Sequence, residues 1–284
     1  MAGLVSFVKR HPVLTYYLLV FLISFGGIII VLGLDGFLGI TQTARTQLFV
    51  GGPISLLGPS ISGILMTGIV YGRPGLRNLI TRLLRWRVGI GWYAFALLLA
   101  PVLSTLLLLA RSLTPAIATA EDKISLLLTG IMFGLVSSPF FEELGWIGFA
   151  TPELRKRFGV LATGLMMGVL WGLWHYPIFS ASGRASGPLS PIVFTLLLLF
   201  TWLIPYRILI VWLYDHTQSL LLAFLMHVPI VVDQFVLAPS VSSPEVTAAS
   251  NLLLAAALWI MVAVIFVVNH GRLEARAEAS LRAA

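Results

Sequence analysis

The sequence predicts an all-α membrane protein with eight transmembrane helices, a cytoplasmic amphipathic helix, and both termini inside. Three observations predict it. Of the 284 residues, 58% are hydrophobic and 10% charged, with a mean hydropathy of +0.99, whereas soluble domains carry about 25% charged residues. Apolar runs of about 20 residues, the length that crosses a bilayer core, recur along the whole chain. The basic residues lie between those runs with a one-sided bias.

The first span is 13–34. It follows Lys9 and Arg10 and exceeds the apolar core of a signal peptide, which runs about 7–15 residues, so it reads as a membrane helix. The second and third spans are 46–72 and 88–110. Between them lies Arg73–Arg87, where Leu76, Leu79, Ile80, Leu83 and Leu84 recur at helical spacing among arginines. That pattern predicts an amphipathic helix lying on the cytoplasmic surface. Pro152–Arg157 is a shorter segment read in the same way.

The fourth span, 124–141, ends at Glu142 and Glu143, after which apolar sequence resumes. The fifth is 158–183, the sixth 191–214 with Arg207 inside it, the seventh 218–237 with Asp233, and the eighth 246–269. The tail from Gly271 to Ala284 is polar. Residues 1–284 form one polytopic domain, with no internal repeat and no soluble module.

Basic residues test the count. With the N-terminus in the cytoplasm, the inner segments hold Lys9 and Arg10, the five arginines of 73–87, Arg155 to Arg157, and three arginines of the tail. Only Arg45, Arg111, Lys123 and Arg184 fall outside. Thirteen against four supports an even number of spans with both ends inside. The net charge of +7 is therefore a topology signal, and no nucleic-acid partner is expected. Membrane lipid is. Cysteine is absent, which excludes disulfides, thiolate metal sites and a cysteine nucleophile.

Charges inside hydrocarbon cost about 2.5–3.5 kcal/mol each and persist where they pair or function. Here they are Glu142, Glu143, Arg207 and Asp233, with His175 and His227 among them. Adjacent helical residues point about 100° apart, so one glutamate can reach a water while the other anchors a neighbouring helix. Pro139 and Gly145 flank the pair and predict a local kink. Trp171 and His175 are four apart and share a face. Taken singly, each histidine reads as a satisfied structural group. One acid and two imidazoles on three helices can instead activate water or stabilise an oxyanion. Glu142, His175 and His227 can also hold one divalent metal such as zinc. The H-E-x-x-H pattern of soluble zinc proteases is absent.

The patches Glu142-Glu143-Leu-Gly-Trp-Ile147, Trp171-Gly-Leu-Trp-His175 and His227-Val-Pro-Ile-Val231 resemble, in order and spacing, the CAAX-protease and bacteriocin-processing (CPBP, or Abi) family of intramembrane peptidases. The lead-in from Trp212 to Leu220 and the arginine-rich 73–87 segment add to the likeness, which covers about 70–235. The resemblance implies hydrolysis of a peptide bond in a membrane-associated substrate. It implies Glu142 as the base, His175 holding the water and His227 at the oxyanion. Two positions depart from the family pattern: Ile147 replaces an arginine, and Val231 replaces an asparagine or aspartate. Arg207 is the expected replacement counter-charge for a glutamate, and Gln234 a replacement donor. The competing functions are a catalytically impaired relative acting as an immunity or scaffold protein, and a transporter with a proton relay. The expected location is a bacterial plasma membrane.

Overall fold

The computed structural model describes residues 2–112, 123–180, 190–236 and 244–275, and all regular structure among them is helical. A short α1 (Ala2–Arg10) leads into α2 (Pro12–Phe37). A single turn, α3 (Ala44–Thr46), and a π-helical turn (Gln47–Gly51) open α4 (Gly52–Leu83). α4 bends at Gly72, whose φ of 63° only glycine adopts without strain. Beyond that bend the Arg73–Leu83 segment is helical, as its periodicity predicts. Leu79 turns inward while Ile80 and Leu84 face out. α5 (Ile90–Ser112) follows.

The glutamate segment is one rod assembled from five pieces. They are α6 (Lys123–Met132), a π-turn (Phe133–Ser137), α7 (Ser138–Gly145), a second π-turn (Trp146–Ala150) and α8 (Thr151–Arg155). The expected local distortion around Glu142 and Glu143 thus takes the form of two flanking π-turns, which recur at functional sites. The remaining helices are α9 (Val160–Phe179), α10 (Pro191–Phe200), α11 (Leu203–Thr217), α12 (Leu220–Val236) and α13 (Pro244–Val268).

Among the described residues five helices are long and apolar enough to cross a membrane: Pro12–Phe37, Phe49–Leu83, Ile90–Leu107, Ile124–Arg155 and Thr247–Val268. The chain is an integral membrane protein. The other three expected spans are the ones that carry His175, Arg207 and His227. α10 and α11 are separated by a break at Thr201–Trp202, α12 is a shorter apolar helix, and α9 ends in the polar-aromatic Trp-His-Tyr-Pro sequence.

Two rims define the molecule. At one, the Gln47 amide donates to the Gly36 carbonyl (2.7 Å) and to Ser180 Oγ (2.8 Å). At the other, Arg82 donates to Tyr214 Oη (2.6 Å) and the Gly148 carbonyl (2.8 Å), and Ser219 Oγ donates to the Arg85 carbonyl. Arg155 pairs with buried Asp215 at 2.7 Å. The expectation of a surface helix at Pro152–Arg157 is corrected here. Thr151, Glu153, Leu154 and Arg155 are buried, because the Asp215 carboxylate draws Arg155 inward. Asp215 also accepts from the Ala275 amide (2.9 Å), and Glu274 accepts from the Val160 amide (3.0 Å). The chain beyond α13 is thereby clasped to this rim.

Small residues bring the site helices together. A Cβ on Gly164 would lie 2.7 Å from Ile208 Cα, and one on Gly168 would lie 2.8 Å from Ile204 Cα. Gly164 and Gly168 let α9 and α11 meet backbone to backbone, and Gly172 one turn on faces Leu199 and Phe200 of α10. Likewise, a Cβ on Gly145 would lie 2.2 Å from the Pro59 carbonyl oxygen, so α7 and α4 touch directly.

Candidate active site

The two glutamates point to different neighbours, as the 100° offset requires. Glu142, 2% exposed, accepts the Trp171 indole N–H from α9 at 2.6 Å. Glu143, 1% exposed, accepts Arg207 Nη1 from α11 on both oxygens at 2.8 Å. One of those oxygens, Oε1, also meets His227 Nδ1 from α12 at 2.8 Å. A single carboxylate therefore ties three helices. The guanidinium and the imidazole replace the water that this buried carboxylate lost.

Trp171 joins the two halves. Its ring carries the Arg207 guanidinium, with Cζ 3.9 Å from the ring centre, and desolvated cation–π contacts of this kind contribute about 2 kcal/mol. The same ring meets His175 edge-on at 4.9 Å and His227 at 5.4 Å. His175 Nδ1 lies 2.8 Å from the Trp171 carbonyl, so that nitrogen carries the proton and Nε2 offers a lone pair. Trp174 packs edge-on against His175 at 4.7 Å and donates to Ser24 Oγ at 2.8 Å. Arg207 Nε and Nη2 are buried and make no hydrogen bond among the described residues.

The structure thus brings Glu142, Glu143, Trp171, His175, Arg207 and His227 to one cluster. Asp233 stands apart, accepting from Ser104 Oγ on α5 at 2.6 Å. The side chain of Gln234 lies outside the described residues. Ile147 is fully buried in the second π-turn and Val231 is half-buried against the core. Two supporting residues carry no motif. Ser60 Oγ donates to the Phe141 carbonyl (2.6 Å), and Tyr206 Oη donates to the Met226 carbonyl (2.5 Å). Each pins the peptide just before a site residue. Their only sequence signal is a polar atom within an apolar run.

For a divalent ion the residues as placed do not fit. Among the described residues no group of three His, Asp or Glu side chains is gathered to share one, and both Glu143 oxygens are engaged.

Residues 123–231 match the family model of the type II CAAX prenyl endopeptidases, Rce1-like. The resemblance read from the three motifs is borne out, and the matched stretch contains every residue of the cluster. CAAX prenyl protease 2 of Methanococcus maripaludis is 29% identical over 130 residues, 45% of this chain and 48% of that protein. The match spans about half the length of that curated relative.

Proposed function

We propose that the chain is an intramembrane endopeptidase that hydrolyses a peptide bond of a membrane-associated substrate, in the manner of a CAAX protease. The observation that carries this reading is the gathering of two adjacent carboxylates and two imidazoles from three helices. Glu143 accepts Arg207 on both oxygens and meets His227, and Glu142 is tied to Trp171, whose ring packs on His175. Glu143 serves as the structural counter-charge and Glu142 as the base.

In this mechanism Glu142 takes a proton from water, and the hydroxide oxygen bonds to the scissile carbonyl carbon. His175 Nε2 accepts the second hydrogen of that water and orients it. His227, bound through Nδ1 to Glu143, presents Nε2 to the developing oxyanion, and the carboxylate stabilises its protonated form. Protonated Glu142 then gives its proton to the leaving nitrogen as the C–N bond breaks, yielding an acid and an amine. The chain crosses a plasma membrane, taken as bacterial, eight times with both ends in the cytoplasm, three of the passes carrying His175, Arg207 and His227.

A second reading, a catalytically silent scaffold or immunity protein, is favoured by Val231, which brings no polar atom where the resemblance has an oxyanion donor. Cleavage of a membrane-anchored peptide in proteoliposomes decides between them. Turnover by the wild type, abolished in Glu142→Ala, supports the peptidase. Turnover that survives Glu142→Ala removes this mechanism, and a wild type inert towards every anchored peptide supports the scaffold.

A further inference from the structure

Away from the cluster, the start of α2, α8 and the first half of α9 enclose a groove of about 920 Å³. One mouth carries Lys9, Arg10, Lys156 and Arg157, which the sequence places in two separate inner segments. The wall below is apolar: Leu14, Leu165, Met166, Val169 and Leu170. Leu14 is 53% and Val169 40% exposed. Glu153 is the only acid on the lining, and it is already bound by Lys156 (2.7 Å) and the Tyr71 hydroxyl. Among the described residues Lys9, Arg10 and Arg157 pair with no carboxylate. The mouth therefore keeps an uncompensated positive charge.

Tyr17, 7% exposed, lines the groove floor with its ring. Cations at the end of a membrane span with an apolar wall beyond reproduce the order of a phospholipid: phosphate, then acyl chain.

We infer that this groove binds one anionic phospholipid, with its phosphate among Lys9, Arg10, Lys156 and Arg157 and a chain along α9. A soluble phosphate or acidic peptide would leave the apolar wall unused. The site also touches the catalytic cluster indirectly. Tyr17 packs on Trp146 at 5.7 Å, Trp146 on Trp174 at 6.0 Å, and Trp174 on His175. The inference rests on the membrane fold and stands whether or not the chain is a peptidase.

The test is native mass spectrometry of the full chain in neutral detergent, titrated with phosphatidylglycerol or with phosphatidylcholine of the same chains, alongside thermal unfolding. One phosphatidylglycerol retained per chain and a raised melting temperature are expected, with phosphatidylcholine inert. Each Lys or Arg contributes about 1 kcal/mol at an anionic surface, so Arg10→Gln with Arg157→Gln should weaken retention at least tenfold. Equal binding of the two lipids, undiminished binding to the double variant, or an equal thermal shift from inorganic phosphate would overturn the assignment. Displacement of the lipid by a prenylated peptide would also overturn it, by assigning the groove to substrate.

Discussion

The Arg207 guanidinium stacks on the Trp171 ring with Cζ 3.9 Å from its centre, while that indole's N–H points away to Glu142. One side chain therefore spaces a cation, bound to Glu143, from the neighbouring carboxylate. Two adjacent acids are held apart in function by a single aromatic plate, and each half can be tested separately.

Arg207→Leu strands Glu143 in the interior with His227 as its remaining named partner. Breaking a buried ion pair from one side costs about 3–5 kcal/mol. The melting temperature of the variant should fall by many degrees, and an unchanged value would remove the pair from the stability of the fold. Arg207→Lys keeps the charge but loses the planar stack and should recover only part of the loss.

Trp171→Phe keeps a ring beneath Arg207 and deletes the donor to Glu142. A hydrogen bond to a charged group contributes about 1.5–3 kcal/mol. Peptide turnover should drop about tenfold to a hundredfold, expressed in kcat, with a much smaller change in unfolding temperature. Equal losses in turnover and stability would make the indole N–H a packing group only.

Gly168→Val places a branched side chain where even a Cβ stands 2.8 Å from Ile204 Cα. Overpacking costs about 1–3 kcal/mol, and the shift is passed to Arg207 one turn along α11. Reduced stability and lost turnover should appear together. A variant of wild-type stability would mean that α9 and α11 do not pack this closely.

Acid should release the chain end. Burial pushes the Glu274 carboxyl up, but hydrogen bonds from backbone amides, including those of Val160 and Leu273, and the Arg155 charge outweigh it and hold it below the ordinary carboxylate value. A lowered folded-state value stabilises the clasp fully above the ordinary carboxylate range, and that contribution fades as pH falls through the lowered value. Hydrogen exchange at the Val160 amide should accelerate on acidification, and Glu274→Gln should remove most of that dependence. Exchange that ignores pH in the wild type, after correction for intrinsic rates, would show that the carboxylate does not hold this end.

The parts of the molecule that a bilayer dictates are legible in its sequence, because hydrocarbon tolerates few arrangements. The long apolar runs of α2, α4, α5 and α13 and the amphipathic turn after Gly72 follow from hydropathy and periodicity alone. Glu142, Glu143, His175, Arg207 and His227 stand out because ionisable groups there are rare. Which partner each takes depends on helix rotation, and rotation depends on features that periodicity hides. Two π-turns shift the phase of the glutamate rod. Trp171, which invites a reading as interfacial aromatic, is placed as a donor only once α9 is seated on α11 through Gly164 and Gly168. That Gly-x-x-x-Gly spacing is itself legible, and it predicts the contact. Arg155 misleads for a different reason: a charged turn reads as surface until its buried aspartate, 60 residues away, is known.

The π-turns at Phe133–Ser137 and Trp146–Ala150 also bear on how this chain can change over time. Each turn closes with about one residue more than an α-turn, so it absorbs a residue without rotating the helix beyond it. Wound as an ordinary α-helix at the same length, the 146–150 stretch would turn Arg155 about 100° away from Asp215. Wound that way with one residue fewer, it would leave the Arg155 heading as it is. The segment behaves like a shaft with a slack link on either side of its working section: a residue can be lost from a link without turning the ends, whereas a link that tightens at fixed length turns everything beyond it.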